Sequence, residues 1–129
     1  MTHRQKPSKT LLIFLWIAQA LLAIFLLMGT VVKWMPISQA ATMMPWTGQV
    51  SPFILRLLGA IDLLGALGLV LPTLLRVKPQ LTAWAAAGTL MLMISAIVFH
   101  VSRGEAQAIG INIFAGALAV LVAWGQWKN

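Results

Sequence analysis

The sequence predicts an all-α integral membrane protein, a bundle of four transmembrane helices with both termini on the cytoplasmic side. Three observations carry this expectation. Hydrophobic residues make up 60% of the 129 and charged residues only 9%, a balance that no soluble domain of this size shows. The apolar residues gather into four runs, at about 11–32, 53–71, 81–100 and 108–124. Each is close to the roughly 20 residues that cross a hydrocarbon core about 30 Å thick. The basic residues fall at the ends of these runs. A cytoplasmic N-terminus puts Arg4, Lys6, Lys9, Arg76, Lys78 and Lys128 inside and leaves only Lys33 and Arg103 in outer loops, the asymmetry that sets topology. The tryptophans agree, with Trp84, Trp124 and Trp127 at the inner interface and Trp34 and Trp46 at the outer one. Residues 1–129 are expected to form a single membrane domain.

In chain order, a basic N-terminal stretch runs directly into the first span. Ala18-Gln19-Ala20 has the look of a cleavage site, but the apolar run continues on both sides of it, so the span is expected to be retained. Gln19 is the one strong hydrogen-bonding side chain inside this run and, with Ala23 one turn on, marks the face turned inward. The loop 33–52 holds Pro36, Pro45 and Pro52 and is too broken to span. Trp34, Trp46, Met35, Met43 and Met44 suit it to the headgroup region, as an interfacial loop or as a lid over a cavity. Ser51-Pro52 supplies a capping residue and a first-turn proline for the second span, which ends at Pro72. The third span opens with small residues from Ala83 to Gly88. The short link 101–105 makes spans three and four an antiparallel hairpin, and Asn112, Gly116, Ala119 and Ala123 give span four an inward stripe. A faint internal echo pairs Asp62 and Gly65-Ala66-Leu67 with Asn112 and Gly116-Ala117-Leu118.

Composition also excludes chemistries. The net charge of +7 could serve nucleic acid, but cations placed at the ends of apolar runs are topology signals, and the expected partner is the lipid bilayer. The absence of cysteine excludes disulfide exchange, thiolate nucleophiles and iron–sulfur ligation by this chain alone. Any redox role must borrow its cofactor. His3 and His100 fall on opposite sides of the membrane, so no metal site is expected.

Asp62 is the residue of greatest interest. At about 1.5 Å per residue it lies roughly 14 Å into the second span, near the bilayer centre. Insertion scales put an Asp there at a cost of about 2.5 to 3.5 kcal/mol, so it must face protein or a wet cavity. Gly59, Gly65 and Ala66 beside it make a small-residue stripe against which another helix can close. The other polar residues gather toward the outer side: Arg56, His100, Glu105 and Asn112. Taken singly each has a plain explanation: snorkelling for Arg56, an interfacial position for His100, a favourable charge at a helix N-terminus for Glu105. Arg56 and Asp62 are six residues apart and lie about 120° apart around the helix, which makes them poor partners for each other. His100 or Asn112 is the expected partner of Asp62. The expectation is one pocket of Arg56, Asp62 and His100 opening outward, Glu105 at its mouth, above an apolar inner half. That chemistry suits proton exchange, quinone hydrogen bonding or substrate gating.

The pattern Gly29-x3-Lys33, Arg56-x2-Gly59-x2-Asp62-x2-Gly65-x2-Gly68 through to Pro72, and His100-x3-Gly104-Glu105 resembles the DoxX-like family of small four-helix membrane proteins. The resemblance implies a bacterial inner-membrane protein related to subunits of quinone-linked sulfur or oxygen metabolism. On that reading the chain is an accessory subunit without catalytic activity of its own. Its ligand is a quinone and its partners are oxidoreductase subunits. The family's second-span acid is more often glutamate, so Asp62 is one methylene shorter. Two further readings stand beside this one: a small proton-coupled transporter using Asp62 within a homo-oligomer, and a non-catalytic scaffold.

Overall fold

Each apolar run becomes a helix whose ends are set by local chemistry. The structure is a computed structural model describing residues 8–75, 77–105 and 109–128, without the side chains of Pro79 and Lys128. Helix α1 (Lys9–Lys33) begins where the Ser8 hydroxyl accepts the Leu11 N–H at 3.1 Å. A short α2 (Ile37–Met43) and a 3₁₀ turn (Pro45–Gln49) follow, so the expected loop is a folded cap. Helices α3 (Pro52–Leu74) and α4 (Pro79–Ser102) each open on a proline, and α5 (Gly110–Lys128) closes the chain. The Ser51 hydroxyl makes no capping bond to α3, while its carbonyl accepts the Leu55 N–H at 3.0 Å. Between α4 and α5, Gly104 takes φ +74°. This lets Glu105 N–H reach the His100 carbonyl at 2.8 Å and Gly104 N–H reach that of Val101 at 3.0 Å, the paired bonds of a Schellman ending.

All four long helices are apolar and long enough to cross a membrane. They pack in a ring, α1 against α3, α3 against α4, α4 against α5 and α5 back against α1. The chain therefore runs up and down with antiparallel neighbours. Leu22 and Leu26 of α1, Leu69 of α3, Met93 of α4 and Ala119 and Val122 of α5 meet in the centre. The outer surface is equally apolar: Leu64, Met91 and Phe114 are exposed, as expected where the surrounding solvent is lipid.

The helices run slightly beyond the expected spans, most at the C-terminal ends of the second and fourth. Helix α3 runs through Pro72 to Leu74, and α5 runs past Trp124 to Lys128. The expected start of span four at residue 108 lies outside the described residues, as do Arg4, Lys6 and Arg76 among the topology cations. Gly65, expected on the packed stripe, is only half-buried, and Ala66 takes the buried position.

The half expected to be apolar holds a buried polar layer, at the end of the bundle that carries the chain termini. Gln19 donates to the Leu69 carbonyl at 2.7 Å and lies 3.3 Å from the Thr73 hydroxyl. Gln126 donates to Gln19 Oε1 at 2.6 Å, and the hydroxyls of Thr73 and Thr82 stand 3.4 Å apart. One network thus joins all four long helices. The polar amide of Gln19 sits beside the turn where Pro72, lacking an N–H, interrupts the ladder of α3. Among the described residues no buried side-chain nitrogen or oxygen lacks a hydrogen-bond partner, the condition that a hydrocarbon surrounding imposes.

Candidate functional site

The buried stripe of α1 includes Leu15, Gln19, Leu22, Leu26 and Gly29. Its next step, four residues on, is Lys33. That register turns the lysine toward α3, where its Nζ meets Asp62 Oδ2 at 2.5 Å. The aspartate side chain is 3% exposed and the lysine side chain 15%. Glycines make the approach possible. A Cβ on Gly29 would stand 2.8 Å from Asp62 Oδ2, and one on Gly59 would run into the Trp34 ring. The Thr30 hydroxyl is 3.2 Å from the Gly59 carbonyl and adds a second link between the helices.

The partner of Asp62 is therefore Lys33, and not His100 or Asn112 as expected. The reason is charge and reach: a lysine stem spans the gap between helices and brings a full positive charge to a carboxylate taken out of water. Arg56 is held elsewhere. Its Nη1 donates to the carbonyls of Lys33 and Met35, both at 2.7 Å, so it caps the C-terminal end of α1. Asn112 is buried on α5 and is not bonded to Asp62.

Above the pair lies the cap. The Trp46 ring centroid is 5.9 Å from Lys33 Nζ, within cation–π range. The same indole stands edge-on to Phe99 at 5.8 Å and to His100 at 6.3 Å. His100 does not reach the intramembrane pair because Trp46 stands beside both. It pairs instead with Glu105, Nδ1 to Oε1 at 3.1 Å, while Arg103 donates from Nε to the same oxygen at 3.1 Å. The Glu105 carboxyl is held below its ordinary value by the hydrogen bond from His100 and, with it, Arg103.

The expected pocket thus resolves into two groups. Asp62 joins Lys33 inside the bundle, with Arg56 fixing the backbone above them. His100 and Glu105 form a surface clasp with Arg103. Trp46 separates and touches both groups. Lys33 offers three N–H donors, and the pair with Asp62 is the one side-chain bond it makes among the described residues. The arrangement can hold a hydrogen-bond acceptor against the ammonium or pass a proton between amine and carboxylate. Sequence reasoning missed Lys33 because a lysine ending an apolar run reads as a topology mark. It missed Gln126 because span four was ended at Trp124.

No curated protein and no solved structure matches the chain. The sequence model of the DoxX-like family matches residues 17–122, a stretch that holds Lys33, Arg56, Asp62, His100 and Glu105. With four apolar helices joined in this way, the chain is a multi-pass membrane protein that belongs to the DoxX-like family.

Proposed function

We propose that this chain is an accessory subunit of a membrane redox system, offering the Lys33–Asp62 pair to the polar headgroup of a quinone. The single observation that supports the reading is the pair itself: an ammonium on a carboxylate, buried beside an indole ring and surrounded by apolar helices. A quinone supplies two-electron chemistry when bound, with the electrons coming from an associated oxidoreductase. The protein's part is positional. Lys33 donates a hydrogen bond to a ring carbonyl oxygen, Asp62 holds that amine in position, and Trp46 covers the ring face and excludes water. The membrane is the bacterial inner membrane with both termini cytoplasmic, and reporter fusions after Pro79 and at Asn129 should both read as cytoplasmic.

The test is quinone content. Protein purified in native-membrane nanodiscs should carry quinone in the wild type, and Asp62→Asn and Lys33→Met should each remove most of it. Equal content in all three would overturn the reading. A proton-coupled transporter is the second reading, supported by the division of the bundle into a charged layer at one end and a saturated neutral layer at the other. Substrate-dependent proton uptake into liposomes, lost in Asp62→Asn, would establish it in place of the first.

A further inference from the structure

Asn112 is the exception among the buried polar side chains of the four long helices. It is 7% exposed and, among the described residues, makes no hydrogen bond. Gln19, Asp62, Thr82, Thr89 and Gln126 each make at least one. The amide is not sealed, since every sealed side-chain nitrogen or oxygen among the described residues has a partner. The little surface that Asn112 keeps therefore includes its amide. An amide without a partner in an apolar layer lowers stability, so its presence calls for a partner from outside the chain.

The register of α5 against α1 shows what the amide faces. The two helices are antiparallel neighbours. Near the end carrying the termini, Gln126 bonds Gln19 and Gly125 backs onto Leu15. Fourteen residues back along α5 from Gln126 stands Asn112, and fourteen residues on along α1 from Gln19 stands Lys33. Both steps rise about 21 Å, so Asn112 and Lys33 reach the same height. Fourteen residues are two heptads, which return each side chain to within about 40° of its starting direction. The residues between hold the same face: Ala115, Ala119 and Val122 of α5 and Leu22 and Leu26 of α1 all lie in the central core. Asn112 thus stands to Lys33 as Gln126 stands to Gln19, except that the glutamines bond each other and these two do not. Both keep capacity to spare. Lys33 spends one of its three donors on Asp62, and the amide of Asn112 has two donors and an acceptor unused.

We infer that Asn112 is the second polar contact of the ligand held at Lys33 and Asp62. The ligand enters the bundle between α1 and α5 with one carbonyl oxygen on the Lys33 ammonium and another on the Asn112 amide. The site therefore selects rings with acceptors at opposite ends over rings with one. This rests on the quinone reading above and adds the orientation of the ring.

The experiment measures affinity in nanodiscs for two probes, a dimethyl para-naphthoquinone and the matching ketone with a single ring carbonyl, on wild type, Asn112→Leu and Asn112→Ala. Partitioning of each probe into the bilayer is common to the three proteins and cancels in the comparison. Leucine is close to asparagine in size, and alanine introduces no clash. In both variants affinity for the naphthoquinone should fall about tenfold, the effect of one hydrogen bond, with the ketone unchanged. The ligand-free melting temperature of Asn112→Leu should not fall, since the amide has no partner to lose. A fall as large as that of Gln19→Leu would make Asn112 a fastener between helices and overturn the proposal. An equal change for both probes, or none, overturns the Asn112 contact and leaves the headgroup reading standing, with Lys33→Met still losing both probes. Failure of wild type to bind either probe sinks the headgroup reading and this contact with it.

Discussion

The two polar layers of this bundle use opposite chemistry for neighbouring tasks. At the end carrying the termini, Gln19, Gln126, Thr73 and Thr82 are neutral, bonded to one another or to backbone, and reach across all four helices. At the capped end, Lys33 and Asp62 are charged, join only α1 and α3, and use one of the lysine's donors. A neutral network whose members are bonded to each other holds helices together at little electrostatic cost. A charged pair with donors to spare is less economical as a fastener and better suited to meeting a ligand. The comparison teaches which polar group to suspect in an apolar bundle: the one whose bonding capacity its neighbours do not use up.

The largest effect should come from breaking the charged layer on one side. Asp62→Ala leaves the Lys33 ammonium without its partner, and losing one member of a buried pair typically costs about 3–5 kcal/mol. Because the Lys33 side chain keeps 15% of its surface exposed, we expect the lower end of that range, read as a fall in thermal unfolding temperature in detergent. Adding Lys33→Met should restore most of the loss. A double variant as unstable as the single one would mean that the pair fastens the helices as the neutral layer does.

Breaking the neutral layer should cost less and leave ligand binding alone. Gln19→Leu removes the donor to the Leu69 carbonyl and the acceptor for Gln126, for about 1–2 kcal/mol. Thermal unfolding should show this loss while quinone content stays at the wild-type level. A parallel loss of quinone would join the two layers into one functional unit and erase the contrast.

The smallest effect belongs to the surface clasp, which sharpens the contrast by supplying a charged group that solvent screens. The carboxyl of Glu105 titrates below its ordinary 4.5 in the folded protein. Its contribution is therefore fully present above that value and is lost as pH falls through the lower folded one. Melting curves of wild type and Glu105→Gln should differ slightly near neutral pH and converge on acidification through that window. A gap that persists in acid would show that the clasp works through shape rather than charge.

The fold was legible because its signal is coarse: four long apolar runs with cations at their ends leave few alternatives in a bilayer. Asp62 was legible for a related reason, since an acid at that depth cannot reach water along its own helix. Its partner was harder to read. Lys33 lies at the end of a span, where a lysine has an ordinary explanation, and only its register on the stripe through Gln19, Leu22, Leu26 and Gly29 separates it from a loop cation. The same continuation of a stripe, from Asn112 through Gly116, Ala119 and Ala123 to Gln126, would have extended span four to its buried glutamine. Trp46 left no such trace. Its contacts with Phe99 and His100 bridge more than fifty residues, a closeness created by the whole bundle.

Arg56 gives the bundle a mechanical character. It grips the backbone of Lys33 from one side while Asp62, less than two turns further along α3, grips the same residue's side chain. Helix α1 is thereby pinned to α3 at two heights and cannot slide along it without releasing both. The α4–α5 hairpin bears on that rigid half through aromatic edges at Trp46 and through the Gln19–Gln126 amides at the far end. The two helix pairs are thus tied at both ends, by the amides at one and by Trp46 against Phe99 and His100 at the other, with the buried core between. Replacing Arg56 by alanine, which removes both bonds made by Nη1, would release α1 from α3 at the upper of the two heights.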